Sequence, residues 1–282
     1  MQHDNQGNSI YNGHLLAAGQ FPPLSADNRA FRYGDGLFES IRILNGRPHL
    51  IEEHWQRLCR GMELLKLQPP ADWSVDFFGK QIEKLCGTSG QWRARLTVFR
   101  SSEGLYTPTS NQCAFWLEAG PLEESEFVFP TKGLEIGICE SIQLQQHPLS
   151  TIKSLNSLPY VLAGMERRDK GWDDALLLNT AGRVAEACSS NLFIWKGGKL
   201  WTPPLSEGCL DGVMRRHLLW LAKQQHIPVD IQPLTVADVL EAEEIFLSNA
   251  IQGIKWVKRL NHCIFGPSVS RRLHQYLNQS IK

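Results

Sequence analysis

Residues 150–163 read STIKSLNSLPYVLA, and Lys153 is the single Lys or Arg between Lys132 and Arg167. Its neighbours are aliphatic or small and polar, Pro159 follows, and a helical pattern then runs to about Arg168. A lone ammonium in such a half-buried segment has two uses. It can snorkel to water along its apolar stem, or burial can lower its pKa so that the amine becomes a nucleophile. The rest of the chain decides between them.

At 282 residues, the chain has room for one large domain or two ordinary ones. Hydrophobic residues make up 42% and charged residues 21%, as in soluble globular proteins. Lys plus Arg equals Asp plus Glu at 29 each, so no overall field draws nucleic acid or a membrane surface. A small-molecule partner is expected. The opening MQHDNQGNSI lacks the basic-then-apolar pattern of a signal peptide, and no apolar run approaches the roughly 20 residues of a membrane span. Seven scattered cysteines without a CxxC pair argue against a disulfide framework and a zinc cage. The expectation is a reduced, cytoplasmic protein without a metal.

Outward from Lys153, the pattern is mixed. GDGLFESIRILNGRPHLI alternates through Leu37, Ile41 and Ile43 and turns at Asn45-Gly46, a hairpin signal. IEEHWQRLCRGMELLKL repeats at helical spacing through Ile51, Trp55, Leu58, Met62 and Leu65. WRARLTVFR alternates again, with Trp92, Ala94, Leu96 and Val98 on one face and Arg93, Arg95 and Thr97 on the other; Arg100 ends it beside a loop. After strand-like CAFWLEA, the acidic GPLEESEF reads as a linker, so the domains are expected at 1–119 and 120–282. The second half reads as strand LEIGICES, the lysine segment, a meander from DDALLLN to KLWTPP, and helix DGVMRRHLLWLAKQQ. Strand VDIQPLT, helix VADVLEAEE and strand EIFLSNAI follow. The fold class is mixed α/β (α+β), two domains with predominantly antiparallel sheets.

Several chemistries are absent from the sequence. Gly34-Asp35-Gly36 is followed by Glu39 where a dinucleotide fingerprint needs its third glycine, and neither a GxSxG elbow nor a phosphate-loop GKS or GKT occurs. His49 and His54 are spaced wrongly to share a helix face, and HExxH is missing. Two other features stand out. SEGCLDGVMRR puts glycines ahead of a helix, leaving unpaired N–H groups near Gly212, Val213 and Met214 that suit a phosphate. Glu186 lies in RVAEACSSNLF, where a strand should be apolar; it is either at a sheet edge or buried and paired. A reactive lysine, a phosphate-binding helix end and a carboxylate able to keep a ring nitrogen protonated are the requirements of pyridoxal 5'-phosphate.

The segments RYGDGLFESIRI, HWQRL, IKSLN, VAEACSSNLF, LDGVMRR and FLSNA, in this order, resemble class IV aminotransferases, the pyridoxal-phosphate enzymes of fold type IV. The resemblance spans roughly residues 10 to 260. It implies that Lys153 carries the cofactor covalently and moves the proton at the substrate carbon, and that Glu186 pairs with the pyridine nitrogen. Arg57 would hold the phosphate with the backbone at Gly212, Val213 and Met214 and the turn at Asn249 and Ala250. Leu210 would pack on the ring. Arg100 would bind a substrate carboxylate, with Phe31 and Tyr33 also at the substrate. A homodimer is implied, with a small-domain loop of one chain reaching the pocket of the other.

The family holds branched-chain and D-amino-acid aminotransferases and 4-amino-4-deoxychorismate lyases. Ser157 stands where the branched-chain pattern has a tyrosine; Phe31 and Ser102 stand where D-amino-acid enzymes have tyrosine and histidine. The lyases are similar in the IKxLN wording, in QHPL and in SNA, although Gly104-Leu105-Tyr106 lacks an arginine found in a lyase. The resemblance therefore implies a lyase releasing pyruvate and 4-aminobenzoate. The alternative is an amino-acid transaminase, of D-amino-acid or branched-chain type, using a 2-oxo acid acceptor. A pyridoxal-phosphate-binding protein without activity is the remaining reading.

Overall fold

The computed structural model describes residues 7–281; MQHDNQ, part of the opening read above for a signal peptide, lies outside them. The chain forms two compact units, one up to Glu126 together with Ile152–Asn156, the other Phe127–Thr151 with the chain from Ser157.

The first unit contains β1 (Ser9–Tyr11), β2 (His14–Leu16), α1 (Arg29–Tyr33), β3 (Gly36–Leu44), β4 (Arg47–Pro48), α2 (Ile51–Leu64), α3 (Val75–Cys86), β5 (Trp92–Arg100) and β6 (Cys113–Pro121). The six strands form an antiparallel sheet in the order β2-β1-β6-β5-β3-β4. Strand alternation sends Leu37, Ile41 and Ile43 of β3, Ala94, Leu96 and Val98 of β5, and Phe115 and Leu117 of β6 into one core. Leu58 and Met62 of α2 and Phe78 and Ile82 of α3 complete it. Trp73, Phe77, Phe78 and Phe115 pack largely edge to face around α3, a helix absent from the sequence reading.

The break between units falls after Glu126 rather than at 119, for two reasons. β6 pairs with β5 as far as Pro121, opposite Trp92. Arg42 Nη2 then donates to the carbonyls of Glu124 and Glu126, tying the acidic stretch to the first unit.

The second unit contains β7 (Leu134–Ile138), α4 (Leu158–Asp169), β8 (Asp174–Leu178), β9 (Val184–Ala187), β10 (Asn191–Lys196), β11 (Lys199–Thr202), α5 (Val213–Gln224), β12 (Val229–Ile231), α6 (Val236–Leu240), β13 (Glu244–Asn249), β14 (Gly253–Leu260), β15 (Cys263–Ile264) and α7 (Val269–Gln279). Its nine strands run β12-β11-β10-β13-β14-β7-β8-β9, with β15 beside β14. The β7–β8 and β11–β12 pairs are parallel because a helical crossover joins each. β14 also pairs parallel with β7, and the other pairs are antiparallel. α6 ends at Leu240 rather than at Glu244, the end of the helical pattern VADVLEAEE, because Glu243 N–H already pairs with the Trp195 carbonyl.

The β7–β8 connection contributes Ile152–Asn156 to the first unit before α4 begins. Phe38 N–H donates to the Lys153 carbonyl at 2.8 Å, Leu155 N–H donates to the Gly36 carbonyl at 3.0 Å, and Leu37 bridges Ser154. Gly36 permits this approach. A Cβ there would lie 2.6 Å from the Val98 carbonyl oxygen and 2.8 Å from Leu155 Cδ1. Gly36→Ala is expected to cost about 1–3 kcal/mol in denaturant unfolding through overpacking; an unchanged midpoint would show that the segment is not so tightly held.

Candidate active site

The backbone pairing with β3 fixes where the Lys153 amine can go. Its Nζ lies 4.5 Å from the Phe38 ring centroid, and the guanidinium carbon of Arg95 lies 3.9 Å from the same centroid. Two cations on one ring place a half-buried amine and a guanidinium in one neighbourhood. Burial lowers the Arg95 pKa against the opposing charge of Glu118, its cross-strand partner on β6. The sequence reading put Arg95 on the face away from the core without giving it a role.

Arg57 is buried on α2 and already engaged. Its Nε donates to Glu39 Oε1 at 2.9 Å and its Nη2 to Oε2 at 2.5 Å, which fixes the guanidinium plane. His54 Nδ1 lies 2.6 Å from Glu39 Oε2, so one of the two histidines weighed for a metal serves a carboxylate instead. Burial alone would raise the Glu39 pKa, but Arg57 and His54 together bring it down to about 2. Burial lowers the His54 pKa despite the neighbouring anion.

Arg100 is buried and makes hydrogen bonds with all three of its guanidinium nitrogens. Its Nε donates to Asp35 Oδ2 at 2.9 Å, Nη1 to Asn111 Oδ1 at 2.5 Å and Nη2 to the Leu65 carbonyl at 2.6 Å. Strand alternation explains the outcome, since Arg100 follows Leu96 and Val98 on the buried face. Its guanidinium is spent on joining α2, the Asp35 turn and the loop after β5. Arg29 shares Asp35 and donates to the carbonyls of Gly104 and Leu105. Tyr33 lies under Arg29 and against Tyr106, while Phe31 is 83% exposed.

In the second unit, Glu186 lies on the terminal strand β9 opposite Leu177, yet is only 3% exposed. The buried alternative is the correct one. Tyr160 Oη donates to Glu186 Oε1 at 2.7 Å; Asn191 Nδ2 and the Leu210 N–H donate to Oε2 at 3.3 and 3.1 Å. Asn191 Nδ2 also donates to the Leu210 carbonyl. Its Oδ1 fills the space beside Gly212, where a Cβ would stand at 1.8 Å, so this position requires glycine by close approach. Gly212 caps α5 without a side-chain hydrogen bond, so Val213 and Met214 stand at a helix start of the kind that can receive an anion. Asn191 pairs with Ser248 across β10 and β13, bringing the Asn249–Ala250 turn to the same strand ends. Asn249 Nδ2 donates to Ser190 Oγ, and its Oδ1 accepts from the N–H groups of Ile251 and Gln252.

A profile described as amino-transferase class IV matches residues 36–260. The chain belongs to the class IV aminotransferase family. The match spans Arg57, Arg100, Lys153, Glu186, Leu210, Gly212, Val213, Met214, Asn249 and Ala250. An aminodeoxychorismate lyase of Vibrio harveyi is 30% identical over 243 residues, covering 80% of this chain and 83% of its own. A D-alanine aminotransferase of Listeria monocytogenes is 26% identical over 287 residues, covering 96% and 95%. The crystal structure of a 4-amino-4-deoxychorismate lyase from Pseudomonas aeruginosa superposes with a TM-score of 0.83 at 29% identity, covering 97% of this chain and 99% of that one.

For this member of the class IV aminotransferase family, the sequence alone does not single out Phe38, Arg95, Tyr160 or Asn191. Each stands in a segment read for its other residues, and only packing gives it a task. The buried Glu39 carboxylate has a measurable signature. Its folded pKa lies below the ordinary 4.5, so its stabilising contribution is present above 4.5 and is lost as pH falls towards about 2. Glu39→Gln is expected to be less stable at neutral pH and to lose less stability between those values than the wild type, as followed by urea midpoints. Parallel acid profiles would contradict the assignment.

Proposed function

We propose that the chain is a pyridoxal-5'-phosphate-dependent lyase converting 4-amino-4-deoxychorismate to pyruvate and 4-aminobenzoate. The observation that carries this reading is the pairing of Lys153 and Arg95 on the Phe38 ring. With the amine at 4.5 Å and the guanidinium carbon at 3.9 Å from one ring centroid, Arg95 is near enough to Lys153 to support binding of a substrate that bears carboxylates.

The residues present fit the cofactor in kind: a half-buried amine, a buried carboxylate held by donors, and a helix start without a side-chain cap. When bound, pyridoxal 5'-phosphate supplies a covalent hold on an amine and an electron sink. Lys153 Nζ would hold the cofactor and, when free, would be the base for the ring proton of the substrate. Glu186 would accept from the protonated ring nitrogen. In the second unit, the backbone at Gly212, Val213 and Met214 and the Asn249–Ala250 turn would take phosphate oxygens, and Leu210 would pack on the ring; in the first unit, Arg57, oriented by Glu39, is the residue that the family resemblance assigns to the phosphate. Loss of that proton and cleavage of the enolpyruvyl ether leave an aromatic amine and pyruvate, with no second substrate.

Transamination is the second reading, and Leu105 favours it, standing where the lyase wording has an arginine. The same lysine would then serve as the proton carrier, and a 2-oxo acid would be needed as amino acceptor. Phe21, Phe31, Leu105 and Tyr106 are exposed on the first unit, which supports a homodimer in which this surface meets the partner chain. Seven free cysteines support a cytoplasmic location, and among the described residues no helix is long and apolar enough to cross a membrane.

Cofactor-loaded protein given 4-amino-4-deoxychorismate without a 2-oxo acid is expected to release pyruvate continuously. Lys153→Ala should reduce the rate by a factor on the order of 10³ or more. Loaded protein that releases none, but exchanges amino groups between D- or L-amino acids and a 2-oxo acid, would replace the lyase reading with the transaminase one.

A further inference from the structure

We infer that Tyr160 is a positioning residue for Glu186: its hydroxyl fixes the carboxylate so that a lone pair is presented to the cofactor's ring nitrogen. This rests on the assignment of Glu186 to that nitrogen. Tyr160 lies in the first turn of α4, two residues after Leu158 and directly after Pro159, which is set for a helix start. The 2.7 Å bond to Oε1 is a short contact from a neutral donor to a carboxylate. On the other oxygen, Asn191 and the Leu210 N–H restrain Oε2. A carboxylate with donors on both oxygens cannot turn about its last bond, so its remaining lone pairs keep one direction.

Tyr160 is built to stay a donor. Burial and then the neighbouring Glu186 charge push its phenol pKa well above the ordinary value, so it keeps its proton. Cys188 and Cys209, the other titratable groups packed near it, are both pushed up to about 12 by burial and stay neutral thiols. The hydroxyl also draws charge from Oε1 and thereby moderates the basicity that Glu186 offers to the ring nitrogen. Removing it leaves the tyrosine ring to fill its space but unlocks the carboxylate.

The test compares two ligands on cofactor-free protein: pyridoxal 5'-phosphate, and the carbocyclic analogue that keeps the aldehyde and phosphate but has CH in place of the ring nitrogen. The quantity read is the ratio of their dissociation constants. Glu186→Gln should collapse the preference for the nitrogen-containing ring. Tyr160→Phe should reduce that preference by about tenfold, the range of one hydrogen bond to a charged group, with affinity for the analogue unchanged. In the Glu186→Gln background, the same change should alter the ratio by less than about twofold, since coupled residues are not additive. The unchanged analogue affinity also reports an intact fold. If Tyr160→Phe lowers both affinities equally, or leaves the ratio alone while Glu186→Gln collapses it, Tyr160 only packs and the inference is wrong. A wild-type ratio in Glu186→Gln would instead remove Glu186 from the ring nitrogen, and the inference with it.

Discussion

Two backbone hydrogen bonds, Phe38 N–H to the Lys153 carbonyl and Leu155 N–H to the Gly36 carbonyl, hold the amine on which the proposed chemistry depends. A lysine on a free loop would carry the entropy of a long, flexible side chain and a mobile backbone. Here the backbone is clamped by a strand, and Ile152 beside it is anchored in the core of the first unit. The approach is possible because residue 36 has no side chain. One glycine in the GDG turn thus links the hydrophobic alternation of β3 to the position of Lys153.

The second unit solves a different problem, which is how to keep a carboxylate in a strand, β9, otherwise made of small and apolar residues. Ala185 and Ala187 flank Glu186 and are themselves buried, so the charge depends on donors rather than solvent. Asn191 is the common member of this arrangement. It donates to Glu186, donates to the Leu210 carbonyl and presses against Gly212, so the carboxylate and the start of α5 are set by one amide. Polar groups that share partners in this way rigidify a site only when all are satisfied, and here Tyr160 closes the other side.

Strand and helix periodicity was legible where burial is one-sided, as in β5, whose alternation identified Ala94, Leu96 and Val98 as core. The same alternation, extended by one step, would have placed Arg100 inside; reading it as a strand end hid that. Lys153 and Glu186 stood out because a charge in an apolar context is costly. Tyr160 and Asn191 did not, because a tyrosine in a helix and an asparagine in a strand are ordinary until a carboxylate is found beside them. α3 carried a visible start at Ser74, whose hydroxyl accepts from Phe77 N–H. α7 did not: its first N–H groups are capped by Glu244 from β13, a partner no local pattern announces. The unit boundary was misplaced because the acidic stretch looked like a linker, whereas Arg42 binds its carbonyls.

The central claim is that Lys153 is the covalent anchor of pyridoxal 5'-phosphate. One other lysine is a credible rival. Lys255 of β14 is half-buried, and burial lowers its pKa against the opposing charges of Asp174 and Asp173. The most direct measurement is borohydride reduction of the loaded protein followed by peptide mapping by mass spectrometry. Modification confined to the peptide carrying Lys153 is the result expected. A phosphopyridoxyl group on Lys255, with Lys153 unmodified, would contradict the account.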